Sequence, residues 1–319
     1  LNKYFAAIDM GTNSFHLIIV KVNDDGSFTI VDREREVIRL GSSQGNEMNF
    51  ISEKEIERAI TILKSFKKLA DVYNARIYTA ATSAIRESSN KEIFVKRVEE
   101  ETSIKINIIE GSKEAELIYL GIQKALDVYN KKILCVDIGG GSTEIILGDK
   151  GKILFAESLK IGAVRLTKKF FPDFILTEEG IKDCLEFIEE SILTNKNILQ
   201  KENFDLAVGS SGTIQSAASM ILGSRSDSVY KPTNNVKFSY KNLKKLSAAV
   251  LRKKRPEERI LIPGMEEKRA DIIPAGLLIL IKIFDIFKIC EMTTSGFALR
   301  EGMILEIINR SFKPLNLIS

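Results

Sequence analysis

The pattern of apolar and polar positions alternates between helical and strand periods along the chain. Ile56, Ile60, Leu63, Phe66, Leu69 and Tyr73 recur at helical spacing behind Ser52-Glu53-Lys54-Glu55, a capping box, and predict a helix of about five turns. Arg76 to Ala80 reads as a strand, Asn90 to Glu101 as a helix and Ile106 to Ile109 as another strand. Farther on, Thr177 caps a helix with Ile181, Leu185, Ile188 and Ile192 on one face, and Leu206 to Val208 reads as a short buried strand. This alternation favours an α/β sheet over a β-sandwich. The apolar run Ile272 to Ile281 has about half the length a bilayer span requires, and Lys282, Asp285 and Lys288 follow it. It reads as a buried core helix, and no membrane association is expected. The segment from Lys231 to Pro263 is more polar and reads as surface helices and loops.

Within this pattern one segment occurs twice. Ala7-Ile8-Asp9-Met10-Gly11-Thr12-Asn13-Ser14 and Cys135-Val136-Asp137-Ile138-Gly139-Gly140-Gly141-Ser142 align without a gap at an offset of 128 residues. Each is a short apolar strand ending in Asp, a Gly-bearing turn and a second apolar strand, Phe15 to Val20 in one copy and Ile145 to Leu147 in the other. Two similar domains are implied, which suits a chain of 319 residues.

Composition narrows the chemistry. A hydrophobic content of 44% with a net charge of only +4 argues against disorder. Cys135, Cys184 and Cys290 are scattered with no C-x-x-C pair, which excludes a disulfide scaffold and a cysteine zinc site and predicts three buried, reduced thiols. The single histidine, His16, cannot build a His-rich metal site and reads as a structural, hydrogen-bonded residue of its strand. Any metal is therefore held by oxygen. The N-terminal stretch carries Asp9 and Asn13 and has no secretory pattern, so the cytoplasm is the expected compartment.

Asp137 to Glu144, Asp-x-Gly-Gly-Gly-Ser-Thr-Glu, places glycines where a strand turns back, so that backbone N–H groups approach a phosphate with no Cβ in the way. A carboxylate beside such a cradle suits Mg²⁺ bridging phosphate oxygens. The bland alternative is a β-hairpin whose glycines only satisfy turn geometry. The copy at Gly11, Thr12, Asn13 and Ser14, and a third small-residue loop at Gly209, Ser210, Ser211, Gly212 and Thr213, argue for the cradle. Gly139, Gly140, Gly141, Ser142 and Thr143 complete the expected phosphate-binding set, with Asp9, Asp137 and Glu144 as expected metal ligands. Glu144 also reads as a strand-facing ion-pair residue.

These motifs resemble those of the exopolyphosphatase/guanosine pentaphosphate phosphohydrolase family. The resemblance is carried by Asp9-x-Gly-Thr-Asn-Ser, Thr82-Ser83-Ala84-Ile85-Arg86, Ile109 to Leu117, Asp137 to Glu144, Lys160 to Leu166, Gly209 to Thr213, Arg269-Ala270-Asp271 and Ser295 to Gly302, in order. It covers nearly the whole chain. It implies an α/β chain of the actin-like ATPase fold, two ribonuclease-H-like domains around a central cleft. The expected boundaries are 1–130, completed by a C-terminal helix about 299–319, and 131–298.

The family's pattern reads Gly-x-Glu-Glu-Ala where this chain has Lys113 and Glu114, and the resemblance assigns the catalytic base to the retained Glu114. A carboxylate there suits the orientation and deprotonation of water at a terminal phosphoryl group. It also reads as a favourable acid at a helix start. Arg86 belongs to the catalytic group by resemblance, its guanidinium clamping phosphate oxygens; read alone, it is a surface arginine paired with Glu87 or another acid. Arg252-Lys253-Lys254-Arg255, with Lys231, Lys237, Lys244 and Lys245 upstream, reads either as a track for a long polyanion or as a solvated face. No nucleic-acid module accompanies it, so neither DNA nor RNA is an expected partner.

The expected function is Mg²⁺-dependent exopolyphosphatase activity on inorganic polyphosphate, with guanosine pentaphosphate hydrolysis as the alternative. The rivals from other classes are an actin-fold kinase and a non-enzymatic ATP-binding assembly module. Long family members carry a further C-terminal helical region with a His-Asp motif, which a chain ending at Ser319 is expected to lack. A homodimer is compatible with the resemblance.

Overall fold

The structure is a computed structural model that describes residues 3–41, 49–193, 203–223 and 234–311. Its contacts separate two compact units, Leu1–Gly121 with Leu299–Ser319, and Ile122–Ala298. The division falls inside a helix, Gly111–Ala125, ahead of the boundary expected at 130.

In the first unit, β1 (Tyr4–Met10), β2 (Ser14–Val22), β3 (Phe28–Val37) and β4 (Arg76–Ala81) form a sheet in the order β3-β2-β1-β4. β2 is antiparallel to both its neighbours, and β4 lies parallel to β1. The helices are α1 (Glu53–Val72), α2 (Ser83–Arg86), α3 (Lys91–Thr102), α4 (Gly111–Ala125) and the C-terminal α11 (Leu299–Ser311). α1 starts where the sequence places it, because Ser52 and Glu55 close the capping box and Ile56, Ile60, Leu63 and Phe66 are buried. Burial of such side chains contributes about 1.5–3 kcal/mol each. The strand expected over Ile106 to Ile109 reduces to one bridge, Ile108 to Ala81. Around that bridge Ile106 N–H donates to Glu99 Oε1, Asn107 N–H to Thr79 Oγ1 and Ile109 N–H to Ala81 O.

The second unit repeats the plan. β5 (Lys132–Ile138), β6 (Thr143–Asp149), β7 (Lys152–Leu159), β8 (Leu206–Ser210), β9 (Lys237–Ser239) and β10 (Glu291–Thr294) form a sheet in the order β7-β6-β5-β8-β10-β9. β5 to β7 run antiparallel, and β8 and β10 run parallel to β5. Around them lie α5 (Ala163–Phe170), α6 (Glu178–Leu193), α7 (Ser211–Leu222), α8 (Tyr240–Leu251), α9 (Pro256–Arg259) and α10 (Ile273–Ile286). The apolar run at 272–281 is the buried α10, packed with β5, α5, α6, α7 and α8. No helix among the described residues is long and apolar enough to cross a membrane. Both sheets have three antiparallel strands followed by a parallel one, the ribonuclease-H-like order.

Cys135 and Cys184 are buried, as expected, but Cys290 is exposed. It sits in the connection leaving α10, where Lys288 has a left-handed backbone and the apolar pattern has ended.

Candidate functional site

The duplicated turns superpose in their bonding. Gly11 N donates to Ser14 O at 3.2 Å, and Gly139 N donates to Ser142 O at 3.0 Å. Both turns stand at the carboxyl end of a strand that has a parallel neighbour, the end at which α/β sheets bind ligands.

In the first unit, Ile38 and Arg39 N–H close on Asn13 O, and Leu40 N–H closes on Thr12 O at 2.8 Å. The chain leaving β3 therefore satisfies the turn's carbonyls. Thr12, Asn13 and Ser14 are buried, and Asn13 Nδ2 donates to Ser14 Oγ at 3.0 Å. Thr12 Oγ1 has no hydrogen-bond partner among the described residues. A buried polar group left so costs about 1–3 kcal/mol, which a phosphate oxygen would relieve. Asp9 pairs in register with His16, which is half-buried and lies 3.5 Å through Nδ1 from Arg300 Nη1.

Glu114 is in the first turn of α4 with a side chain only 8% exposed. Arg86 Nη1 donates to its Oε2 at 3.0 Å and to Ile109 O at 2.8 Å. Arg86 ends α2, which starts after Thr82, whose N–H reaches Met10 O at the end of β1. Strand end, short helix and bridging segment thus fix one ion pair. Arg86 does pair with an acid, but the acid is Glu114 and not Glu87, and the pair is largely buried and not on the surface. Among the described residues its Nε and Nη2 have no partner, which leaves a donor edge for an anion.

The second unit fixes its turn differently. The N-terminus of α5 donates into it, Ala163 N to Gly139 O at 3.0 Å and Val164 N to Gly140 O at 2.9 Å, while Arg165 Nε donates to Gly141 O at 2.7 Å. Gly162 allows this approach: a Cβ there would stand 2.5 Å from Gly140 O. With the carbonyls engaged, the Gly140 and Gly141 N–H groups have no partner among the described residues, an arrangement that could accept an anion.

Asp137 and Glu144 stand opposite each other on β5 and β6, both buried. Ser210 Oγ donates to Asp137 Oδ2 at 2.6 Å, and Ser158 Oγ donates to Glu144 Oε1 at 2.7 Å. Two neighbouring carboxylates repel unless a cation or proton intervenes. Mg²⁺ is commonly bound through one or two carboxylates plus substrate phosphates, and this donor set fits it. At the equivalent position the first unit has His16 opposite Asp9, so that turn offers one carboxylate where the second offers two.

Not every expected residue is turned to the cradle. Gly209 lies inside β8, where a Cβ would stand 2.5 Å from Met292 Sδ, and Thr143 Oγ1 is spent on Ile161 O. Thr213 packs against Gly276. Ser211 starts α7 with φ 71°, a strained backbone for a side-chain-bearing residue. Gly212 lies directly under the Arg269 guanidinium, where a Cβ would stand 1.7 Å from Nη2. Arg165, on Gly141 O, and Arg269, over Gly212, are further residues at these turns, and both lie within the motifs that carry the family resemblance.

The basic run at 252–255 follows α8, with Arg252, Lys254 and Arg255 exposed. It is held from beneath by the fully buried Arg259, which donates to the carbonyls of Lys253, Lys254, Phe174 and Ala270. Lys231 lies outside the described residues.

Two ribonuclease-H-like units, each with an Asp-Gly turn after its first strand, place the chain in the actin-like ATPase fold class. Within that class it belongs to the Ppx/GppA phosphatase family, which matches residues 18–311. A guanosine-5'-triphosphate,3'-diphosphate pyrophosphatase of Photobacterium profundum is 31% identical over 311 residues, covering 97% of this chain and 60% of that protein. One from Aliivibrio fischeri is 32% identical over 310 residues, covering 97% of this chain and 60% of that protein. The chain thus spans about 60% of the length of these curated relatives. The crystal structure of an exopolyphosphatase from Cytophaga hutchinsonii is similar at TM-score 0.88 and 28% identity, covering 96% of this chain and 98% of that one. The Aquifex aeolicus member of the Ppx/GppA family is similar at TM-score 0.78 and 31% identity, with 97% and 98% covered.

Proposed function

We propose that the protein is a phosphoanhydride hydrolase that removes the terminal phosphate of guanosine pentaphosphate, leaving guanosine tetraphosphate and orthophosphate. The observation that carries the reading is the buried Arg86–Glu114 pair. Water attacks the terminal phosphorus, the bridging P–O bond breaks towards the leaving phosphate, and Glu114 takes the proton of the attacking water. Arg86, through its unengaged donor edge, balances charge on the transferred group. The second unit carries a turn of its own, whose Gly140 and Gly141 N–H groups would hold phosphate oxygens. Asp137 and Glu144 would hold Mg²⁺, which supplies charge neutralisation to the phosphate chain when bound.

The sequence expectation put polyphosphate first, but the names of the curated relatives support the nucleotide better. Polyphosphate stays as the second reading because the Cytophaga hutchinsonii exopolyphosphatase is covered almost completely at high structural similarity. Glu114 in its matched motif favours water as acceptor over the kinase and assembly readings. The test is orthophosphate release from guanosine pentaphosphate, polyphosphate and ATP side by side with Mg²⁺. Turnover highest on guanosine pentaphosphate supports the proposal. Turnover confined to polyphosphate moves it to the second reading, and release from neither overturns it.

A further inference from the structure

Position 113 is where this chain departs from the family pattern, with Lys113 in place of an acid and next to Glu114. Its Nζ donates to Glu306 Oε1 at 2.5 Å and to Glu116 Oε1 at 2.9 Å. Glu306 is on α11 and also accepts from Arg310 Nη2 at 3.0 Å. The same two helices meet at Gly302, where a Cβ would stand 1.8 Å from Leu117 O. Lys113 lies one turn before Leu117 and Glu306 one turn after Gly302, so ion pair and backbone contact adjoin on facing surfaces.

We infer that Lys113 and Glu306 form a latch that docks α11 onto the first turn of α4 and so positions the Glu114 carboxylate. This rests on Glu114 being the base, as proposed above. The Lys113 and Glu306 side chains are 29% and 25% exposed, so water shields their attraction less than that of an open surface pair. Burial works against the Lys113 ammonium, yet the Glu306 and Glu116 carboxylates outweigh it and hold its pKa above the ordinary lysine value. Glu114 follows Lys113 directly, so a tilt that frees Lys113 displaces the carboxylate with it. A misplacement of about 1 Å in a reacting group costs up to ~100-fold in rate. Lys113 is thus a positioning residue that touches no substrate.

The test compares wild type, Lys113→Glu, Lys113→Met and the charge-swapped Lys113→Glu/Glu306→Lys. It measures kcat and KM for orthophosphate release from guanosine pentaphosphate and from polyphosphate, and amide hydrogen exchange over the first turn of α4. Lys113→Glu is expected to lower kcat by ~10-fold or more with KM within ~2-fold, and to speed exchange there. Lys113→Met, which adds no repulsion, falls between. The swap restores the 113–306 pair while leaving like charges beside Glu116 and Arg310, so it is expected to recover part of kcat and of the protection although residue 113 stays acidic. Unchanged kcat in Lys113→Glu, or a swap no better than the single variant, overturns the latch. Wild type inactive on both substrates sinks the proposed function instead, and exchange then decides the docking alone: protection lost in Lys113→Glu and regained in the swap supports it, and no change overturns it.

Discussion

Ser210 Oγ donates to Asp137 Oδ2 at 2.6 Å, although Ser210 is the N-cap residue of α7, a position whose side chain ordinarily accepts from its own helix. The serine is diverted from capping to orienting a carboxylate, and the first turn of α7 has no side-chain cap. A stability optimum is given up at a place where Asp137 gains a fixed rotamer. This suits a metal ligand, whose partners hold it in one orientation.

If Asp137 holds Mg²⁺, Asp137→Asn is expected to raise the Mg²⁺ concentration for half-maximal turnover by ~10-fold or more, since a neutral amide is a weaker hard ligand. Ser210→Ala is expected to raise it by a smaller factor while leaving the ligand itself in place. Mg²⁺ titrations of phosphate release check both. Curves that overlay the wild type make Asp137 structural.

The Gly140 cradle depends on Gly162 having no side chain. Gly162→Ala is expected to push the turn off the N-terminus of α5, costing about 1–3 kcal/mol of stability as an overpacking change. Phosphate release is expected to fall by at least ~10-fold, through loss of cradle geometry. Thermal denaturation and steady-state assays separate the two losses. A stable, fully active Gly162→Ala protein contradicts the account of the turn.

The thiols are expected to react unequally. Burial pushes the Cys184 thiol up to about 12, and burial together with the Asp137 charge raises that of Cys135, so both stay protonated and shielded at neutral pH. Cys290 is exposed. Aromatic disulfide labelling of the native protein is therefore expected to modify one thiol per chain, at Cys290, and three after denaturation.

The sequence disclosed what depends on period and turn chemistry. The strand–turn–strand duplication is legible because both copies bury apolar strands and both need glycine at the same turn position. The edge strand β3 was not legible. β3 carries Asp32 to Glu36, five consecutive charges with no apolar alternation to mark a strand, yet such residues suit the edge of a sheet. The Arg86–Glu114 pairing spans 28 residues, and Asp137–Ser210 spans 73, so no local spacing announces either; parallel strand pairing creates both. Lys113 was visible as an anomaly, but its partner Glu306 lies 193 residues away and appears only once α11 is placed against α4.

The central claim is that Glu114 is the base that activates water. Glu114→Gln keeps the size of the side chain and an oxygen for Arg86 to donate to, while removing the proton acceptor. Single-turnover phosphate release from guanosine pentaphosphate, with substrate binding measured in parallel, is expected to slow by at least ~100-fold while affinity changes little. Release at close to the wild-type rate from a folded Glu114→Gln protein would contradict the account.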